Sequence, residues 1–376
     1  MNTKFILVSV FFLLIIVSCG KDNQTYTVEI KDDVRHIHNY APQWGDEPKI
    51  ALEFVQKIGD LDTEDENFQL YLPNDVAVDG EGNIYVLDAG NYRVQKYDRE
   101  GKFLASFGRK GQGPGEFERP LSLAIDRNGN LYIADQGKNR VIVLTPEGKE
   151  LRTFKFGERV SPFKLFSSVN ILTGTTARDM IISLDEKNKE YEKPVVQIYN
   201  KDGSLKKEFG KPVDYNDMFF NSMGNSIYFT FDQNNNVFIS FGYQNRIEKY
   251  SPAGELFFTS ERPLNYEISR PKSKMEETSG GGLVLTMPKM NNVSSGIGVD
   301  YKGRIWVTTY RKQREKDDPE PYLELEIYDN EGILLGKIPW SEDFTPARDD
   351  IHMFGDRVFF RDSEGISVYE YKIIEK

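Results

Sequence analysis

Three histidines, His36, His38 and His352, and a single cysteine, Cys19, are all the imidazole and thiol chemistry this chain of 376 residues possesses. Catalysis on zinc needs several such ligands converging on one ion, and this set is too small and too scattered for that. His36 and His38 stand close together near the amino terminus, where a solvated polar pair is the simpler reading. Oxygen ligands recur in a pattern: Asp79 to Asn83 and Asp126 to Asn130 both read Asp-x-x-Gly-Asn. The twelve-residue ligand series and distal bidentate glutamate of a calcium loop are missing, and the motif falls where a tight hairpin must join two strands, so a turn is expected. Asp88 with Arg93, and Asp135 with Arg140, set an acid and a base five residues apart across a turn between strands, as an ion pair pinning that turn would. A later copy keeps the base, Arg246, but has Phe241 in the acidic position, which leaves this arginine without its in-repeat partner and free to meet a ligand. There is no glycine-rich phosphate loop and no serine-centred nucleophile elbow.

These pairs recur because the elements that carry them recur. Leu72 to Asp79 followed by Gly82 to Asp88 is answered by Arg119 to Asp126 followed by Gly129 to Asp135, with Asp79 and Asp126 separated by 47 residues. Each copy continues through a turn into Arg93–Tyr97 or Arg140–Leu144, then into Lys102–Gly108 or Lys149–Gly157, giving four short strand-like runs per unit. A four-stranded sheet repeated at that period cannot cover both of its faces alone and needs a neighbour on each side, the mark of a propeller blade. Weaker copies follow. Val195–Gly210 closes a third, Ser226–Ser260 forms a fourth and Ser294–Pro339 a fifth, while a sixth begins near Arg348 and ends in Ile366–Ile373 with only three strands. The missing outer strand is found in Ile50–Gly59, so the expected fold is all-β, a six-bladed β-propeller with four-stranded blades whose ring is closed by an N-terminal strand completing the last blade.

The first residues read as a processing segment, with Lys4 as its charge and Phe5–Val17 as its apolar run. Ile16-Val17-Ser18-Cys19 resembles the lipobox of bacterial lipoproteins, which implies cleavage before Cys19 and acylation of its sulfur. The expected division is a signal peptide over 1–18, a lipidated tether over 19–45 and the propeller over 46–376, held in the cell envelope, at the outer membrane, through the lipid on Cys19. With one cysteine no internal disulfide can form, so the core alone must stabilise the fold. Lys and Arg number 48 against 59 Asp and Glu, a net charge of −11, which repels phosphate backbones and argues against nucleic acid as a partner.

Leu87 to Tyr97 and Gly108 to Phe117 resemble the NHL repeat and its linker, and lipid-anchored propellers of this kind are similar to a large group in Bacteroidetes. Amidating lyases that share the fold use several histidines on zinc, a pattern this chain does not match; lactonase-like relatives hold calcium at the ring centre with Glu, Asn and Asp from different blades. Three insertions, Asp185–Pro194, Tyr310–Pro321 and Arg262–Val293, are expected on the upper face, the one reached by the linkers between blades and the turns between second and third strands. The resulting expectation is a module that binds a glycan, a peptide or an envelope protein through that face, with Asn74, Tyr92, Arg93, Arg140, Tyr243, Arg246, Tyr310 and Arg311 as contacts, since aromatic and arginine side chains dominate such sites. The alternative is a lyase or lactonase with a divalent cation in the central channel; the residues imply no other cofactor.

Overall fold

The structure is a computed structural model and describes residues 24–155, 163–166, 170–174, 194–268, 274–277, 283–286, 290–313, 322–339, 351–362 and 365–376. Strands β1 (Tyr26–Lys31), β2 (Val34–Asn39) and β3 (Ile50–Ile58) lead into a first sheet of β4 (Pro73–Val78), β5 (Ile84–Asp88), β6 (Arg93–Tyr97) and β7 (Phe103–Phe107). A second sheet holds β8 (Pro120–Ile125), β9 (Leu131–Asp135), β10 (Arg140–Leu144) and β11 (Glu150–Phe154), and a third β12 (Phe163–Phe166), β13 (Asn170–Gly174), β14 (Val196–Asn200) and β15 (Leu205–Phe209). Helix α1 (Met218–Gly224) precedes a fourth sheet of β16 (Ile227–Phe231), β17 (Val237–Phe241), β18 (Ile247–Tyr250) and β19 (Leu256–Glu261). A separate hairpin, β20 (Lys274–Glu277) and β21 (Leu283–Thr286), stands before a fifth sheet of β22 (Ser294–Val299), β23 (Ile305–Tyr310), β24 (Leu323–Tyr328) and β25 (Leu334–Pro339). The sixth holds β26 (His352–Phe354), β27 (Arg357–Arg361) and β28 (Val368–Glu375), with β3 antiparallel to β28 as its fourth strand.

Six hydrophobic clusters explain why these sheets stay together. One lies between each consecutive pair: Leu87 and Phe117 against Leu123 and Ile133 join the first two sheets, and Val76 and Val86 against Phe359 and Val368 join the first to the sixth. Strands that bury both faces read as nearly continuous apolar runs, as in Ile84–Asp88 and Val237–Phe241, every residue of which is buried. The leading strands adjoin from sheet to sheet, β4 beside β8, β8 beside β12, β16 beside β22, β22 beside β26 and β26 beside β4. These are the innermost strands.

The turns that raised the question of calcium spend their carboxylates on the backbone. Asp79 Oδ1 accepts from the amides of Glu81 and Asn83, Asp126 Oδ1 from those of Asn128 and Asn130, and Asp232 and Asp300 repeat the arrangement. Each turn thereby keeps its oxygens inward rather than open to an ion.

Part of the expected tether is instead built into the fold. β1 and β2 form a hairpin, and β2 runs parallel to β19, extending the fourth sheet to six strands. Ile37 is buried in the cluster between the fourth and fifth sheets, and Asn39 donates to Ser260 Oγ and to the carbonyls of Glu261 and Gly332 while accepting from the Leu334 amide. The chain then crosses β25, where the amides of Gln43 and Trp44 donate to Leu334 and Leu335, and enters β3. Residues 26–58 thus strap the outer edges of the last three sheets. The polar character of Val34–Asn39 concealed this, because one buried isoleucine in a run of polar residues is a weak strand signal. Cys19 and the processing segment lie outside the described residues.

Candidate functional site

The Asp–Arg pairs of the first two sheets are positioned by their turns. Residues Ala89–Asn91 and Gln136–Lys138 each form a short 3-10 turn closed by a left-handed residue, Tyr92 at φ 59° and Asn139 at φ 51°. This brings Arg93 Nε to 2.7 Å from Asp88 Oδ2, and Arg140 Nε to 3.1 Å from Asp135 Oδ2. The second carboxylate oxygen accepts from the preceding linker, the Tyr71 amide in one case and the Glu118 and Arg119 amides in the other. Arg93 Nη2 donates to the carbonyls of Glu66 and Gln69, and Arg140 Nη2 to that of Glu116. Both arginines therefore tie linker to blade.

The other expected contacts are spread over several sheets. Asn74 sits at a bulge at the start of β4, its amide 3.4 Å from the Pro120 carbonyl. Tyr92 is half-buried with the Lys110 ammonium 5.1 Å from its ring centre. Tyr243 is half-buried in the turn between β17 and β18, and the Arg311 side chain is exposed while its amide donates to the Tyr322 carbonyl. Two expectations are corrected. Arg246 has a partner within its repeat, because Glu248, two residues along β18, brings Oε1 to 3.0 Å from Nε, and the guanidinium lies 4.2 Å from the Phe241 ring centre. Phe241 therefore offers the guanidinium a stacking surface in place of the missing acid, while Arg246 Nε and Nη2 are buried without a hydrogen-bond partner among the described residues. Tyr310 is 7% exposed and packs in the core between the fifth and sixth sheets, with Tyr322 against its ring at 5.8 Å. Of the expected insertions, 185–193, 269–273, 278–282, 287–289 and 314–321 lie outside the described residues.

The constellation that the sequence did not single out lies where the innermost strands meet. Pro73 pairs with Asp88, and Arg361 with Val368, so the start of β4 and the end of β27 both belong to the upper end. There Asp75 Oδ1 lies 3.3 Å from His352 Nδ1 on β26, while Asp75 Oδ2 accepts from Ser122 Oγ at 2.7 Å and from the Leu123 amide at 2.8 Å, both on β8. Ser122 Oγ in turn accepts from the Phe163 amide on β12 at 3.3 Å. Four sheets, the sixth, first, second and third, are linked through one chain of polar groups. Arg361 Nη1 donates to the Pro73 carbonyl at 3.0 Å.

Burial sets the charge states here. His352 is 3% exposed, and desolvation, reinforced by the Lys164 and Arg361 cations, drives its pKa well below the usual histidine value, so its ring is neutral. Desolvation also pushes the Asp75 carboxyl up, against the pull of Lys164, its hydrogen bonds and Arg361. His352 Nε2 is buried with no hydrogen-bond partner, and so is Ser295 Oγ on β22. Ser295 occupies a bulge between Ser294 and Gly296, in the same register as the bulges at Asn74 and Leu121. That places it at the same end of the axis. The signal available in the sequence was slight: Asp75 stands where the next repeat has Ser122, and His352 is 277 residues away. Among the described residues no group of three or more His, Cys, Asp or Glu side chains could hold a metal ion.

Known proteins fit this architecture. No curated protein matches the chain. A putative exported protein from Bacteroides fragilis superposes with a TM-score of 0.56 at 12% identity, over 87% of this chain and 96% of that one. A member of the duf4221 family from Bacteroides vulgatus superposes with a TM-score of 0.54 at 11% identity, over 87% and 99%. Both likenesses concern the fold. A family model described as a 6-bladed beta-propeller matches residues 52–276, and with the sheets and cores described above the chain belongs to that family.

Proposed function

We propose that this protein is an envelope lipoprotein whose propeller binds a glycan, peptide or protein partner at the upper end of its axis. The observation that carries this reading is His352: a neutral imidazole buried beside Asp75 with Nε2 left without a partner. A buried acceptor left unmet costs stability that a purely structural histidine would recover with a neighbour. A ligand group supplies that neighbour. Arg93, Arg140, Tyr92 and Asn74 border the same end and would form its rim, with Arg311 and Tyr243 further out.

The pairing of β3 with β28 and the core shared by sixth and first sheets support a ring closed by the N-terminal strand, with NHL-type repeats around it. Closure makes the axis a rigid site, since no edge is left to open. Export is supported by the apolar leader and by the likeness to a putative exported protein from Bacteroides fragilis, and lipidation at Cys19 by the lipobox-like Ile16–Cys19. On that reading the lipid on Cys19 lies seven residues before Tyr26, a reach of at most about 25 Å at about 3.6 Å per residue, which would hold the rim of the fourth sheet near the membrane.

A thermal-shift screen of residues 20–376 against glycan fragments, peptides and divalent ions tests the reading, because a ligand that binds only the folded state raises its stability. An upward shift from an organic ligand that disappears in His352→Gln is expected. A shift produced by a divalent ion alone would replace it with the metal-dependent lyase or lactonase.

A further inference from the structure

We infer that the upper end of the axis recognises a hydroxycarboxylate, the group a sugar acid presents, with His352 Nε2 accepting from a hydroxyl and Lys164 facing the carboxylate. This rests on the binding function proposed above and narrows it to one ligand chemistry.

The hydroxyl follows from the histidine. Asp75 acts as an acceptor in its contacts with Ser122 Oγ, the Leu123 amide and the Val76 amide, so with its carboxylate ionised the imidazole nitrogen facing it carries the proton. Nε2 is then a bare lone pair. Only a donor can satisfy it, and a carboxylate alone would be repelled. The second orphan, Ser295 Oγ, is 2% exposed on β22, at the register of the bulges at Asn74 and Leu121, and can either donate or accept. Two unmet polar atoms on different sheets suit a ligand carrying more than one hydroxyl.

The carboxylate follows from charge. The chain carries −11 overall, yet the cations whose fields act on both Asp75 and His352 are Lys164 and Arg361. Arg361 is committed to the Pro73 carbonyl. Lys164, next to Phe163 on β12, makes no hydrogen bond or ion pair among the described residues. A neutral sugar leaves that ammonium unmatched. A peptide carboxy terminus matches it as well, and the tripeptide in the test below separates the two.

The test is isothermal titration of the full chain in detergent with galacturonate, galactose and a tripeptide, repeated with Lys164→Met, Ser295→Ala and His352→Gln. Circular dichroism confirms that each variant is folded, and should His352→Gln fail to fold, the other two still read the site. Galacturonate is expected to bind at least tenfold more tightly than galactose, with Lys164→Met reducing galacturonate to the galactose level and Ser295→Ala weakening both sugars. Equal binding of the two sugars overturns the carboxylate assignment and leaves the binding module standing. Tripeptide binding that Lys164→Met does not alter overturns the site while preserving a peptide-binding propeller. Binding of none of the three overturns the hydroxycarboxylate assignment; whether the module itself falls with it is read separately from the broader thermal-shift screen.

Discussion

Asp75 and His352 face each other at 3.3 Å across the seam between the first and last sheets, an acid on β4 and a base on β26 held at one end of the axis. The pair also has a structural consequence. Through Ser122 it continues to the third sheet, so it also fixes the spacing of the innermost strands.

The buried imidazole gives a pH dependence with a definite sign. Desolvation first, then Lys164 and Arg361, hold the pKa of His352 well below its value of about 6.5 in the unfolded chain. Below that value the unfolded chain takes up a proton that the fold refuses, so stability present above about pH 6.5 is lost on acidification, by up to about 1.4 kcal/mol per pH unit. Asp75, raised by desolvation, has the opposite sign, its buried charge lowering stability above its folded pKa. Urea melts at pH 7.5, 6.5 and 5.5 should show a falling midpoint for the wild type and a flatter one for His352→Gln; parallel slopes would show that the ring is solvated.

Glu326 should be the most sensitive carboxylate in the fold. It is buried on β24, accepts from Tyr328 Oη at 2.7 Å, and meets Arg262 Nη1 at 3.1 Å and Lys337 Nζ at 3.0 Å. Burial opposes its charge, but Arg262 and Lys337 prevail and hold its pKa down. Its contribution is therefore present above about pH 4.3 and fades as pH falls below that. Glu326→Leu leaves Arg262 buried and unpaired, and a loss of about 3–5 kcal/mol is expected in chemical denaturation at pH 7. A loss below 1 kcal/mol would mean that Glu324 takes over its role.

The strap makes its own prediction. Ile37→Ala should cost about 2–4 kcal/mol through the cavity it leaves between the fourth and fifth sheets. Removing residues 24–39 altogether would uncover β19 as an edge strand and leave the Leu334 amide without Asn39, so lowered melting temperature together with aggregation is expected. Light scattering and calorimetry of the shortened chain check this. An unchanged melting temperature would restore the stretch to the status of a tether.

Arg246 and Tyr310 should behave as structural residues. Tyr310→Ala is expected to cost about 3–5 kcal/mol, because the ring is buried in the core between the fifth and sixth sheets. Arg246→Met leaves Glu248 buried without its cation. Burial already raises the pKa of Glu248 against the pull of Arg246 and Tyr250, so the variant should lose stability as pH rises from 5 to 8, the reverse of the wild-type trend set by His352. Calorimetry at both pH values separates the two; loss of ligand binding with no change in melting temperature would return both residues to the site.

The sequence by itself determined the repeat. Gly, Asn and Asp at fixed offsets between short apolar runs demand strands and tight turns locally, and sheets that cannot cover themselves demand neighbours, so six units and the joining of Ile50–Ile58 to the last sheet were legible from spacing alone. The ion pairs Asp88–Arg93 and Asp135–Arg140 were legible for the same reason, since five residues across a known turn fix a distance. Only tertiary structure could decide what comes together between repeats. Asp75, Ser122, Phe163 and His352 lie on four sheets, and no local pattern reports which side chains converge at an axis. Phe241 beside Arg246 looked like an absent partner because a sequence shows the acid that is missing at one position, while the fold supplies Glu248 from the opposite side of the same turn. Residues 24–39 looked like a tether because a strand added to a sheet edge needs little apolar pattern of its own when the partner strand provides the hydrogen bonds.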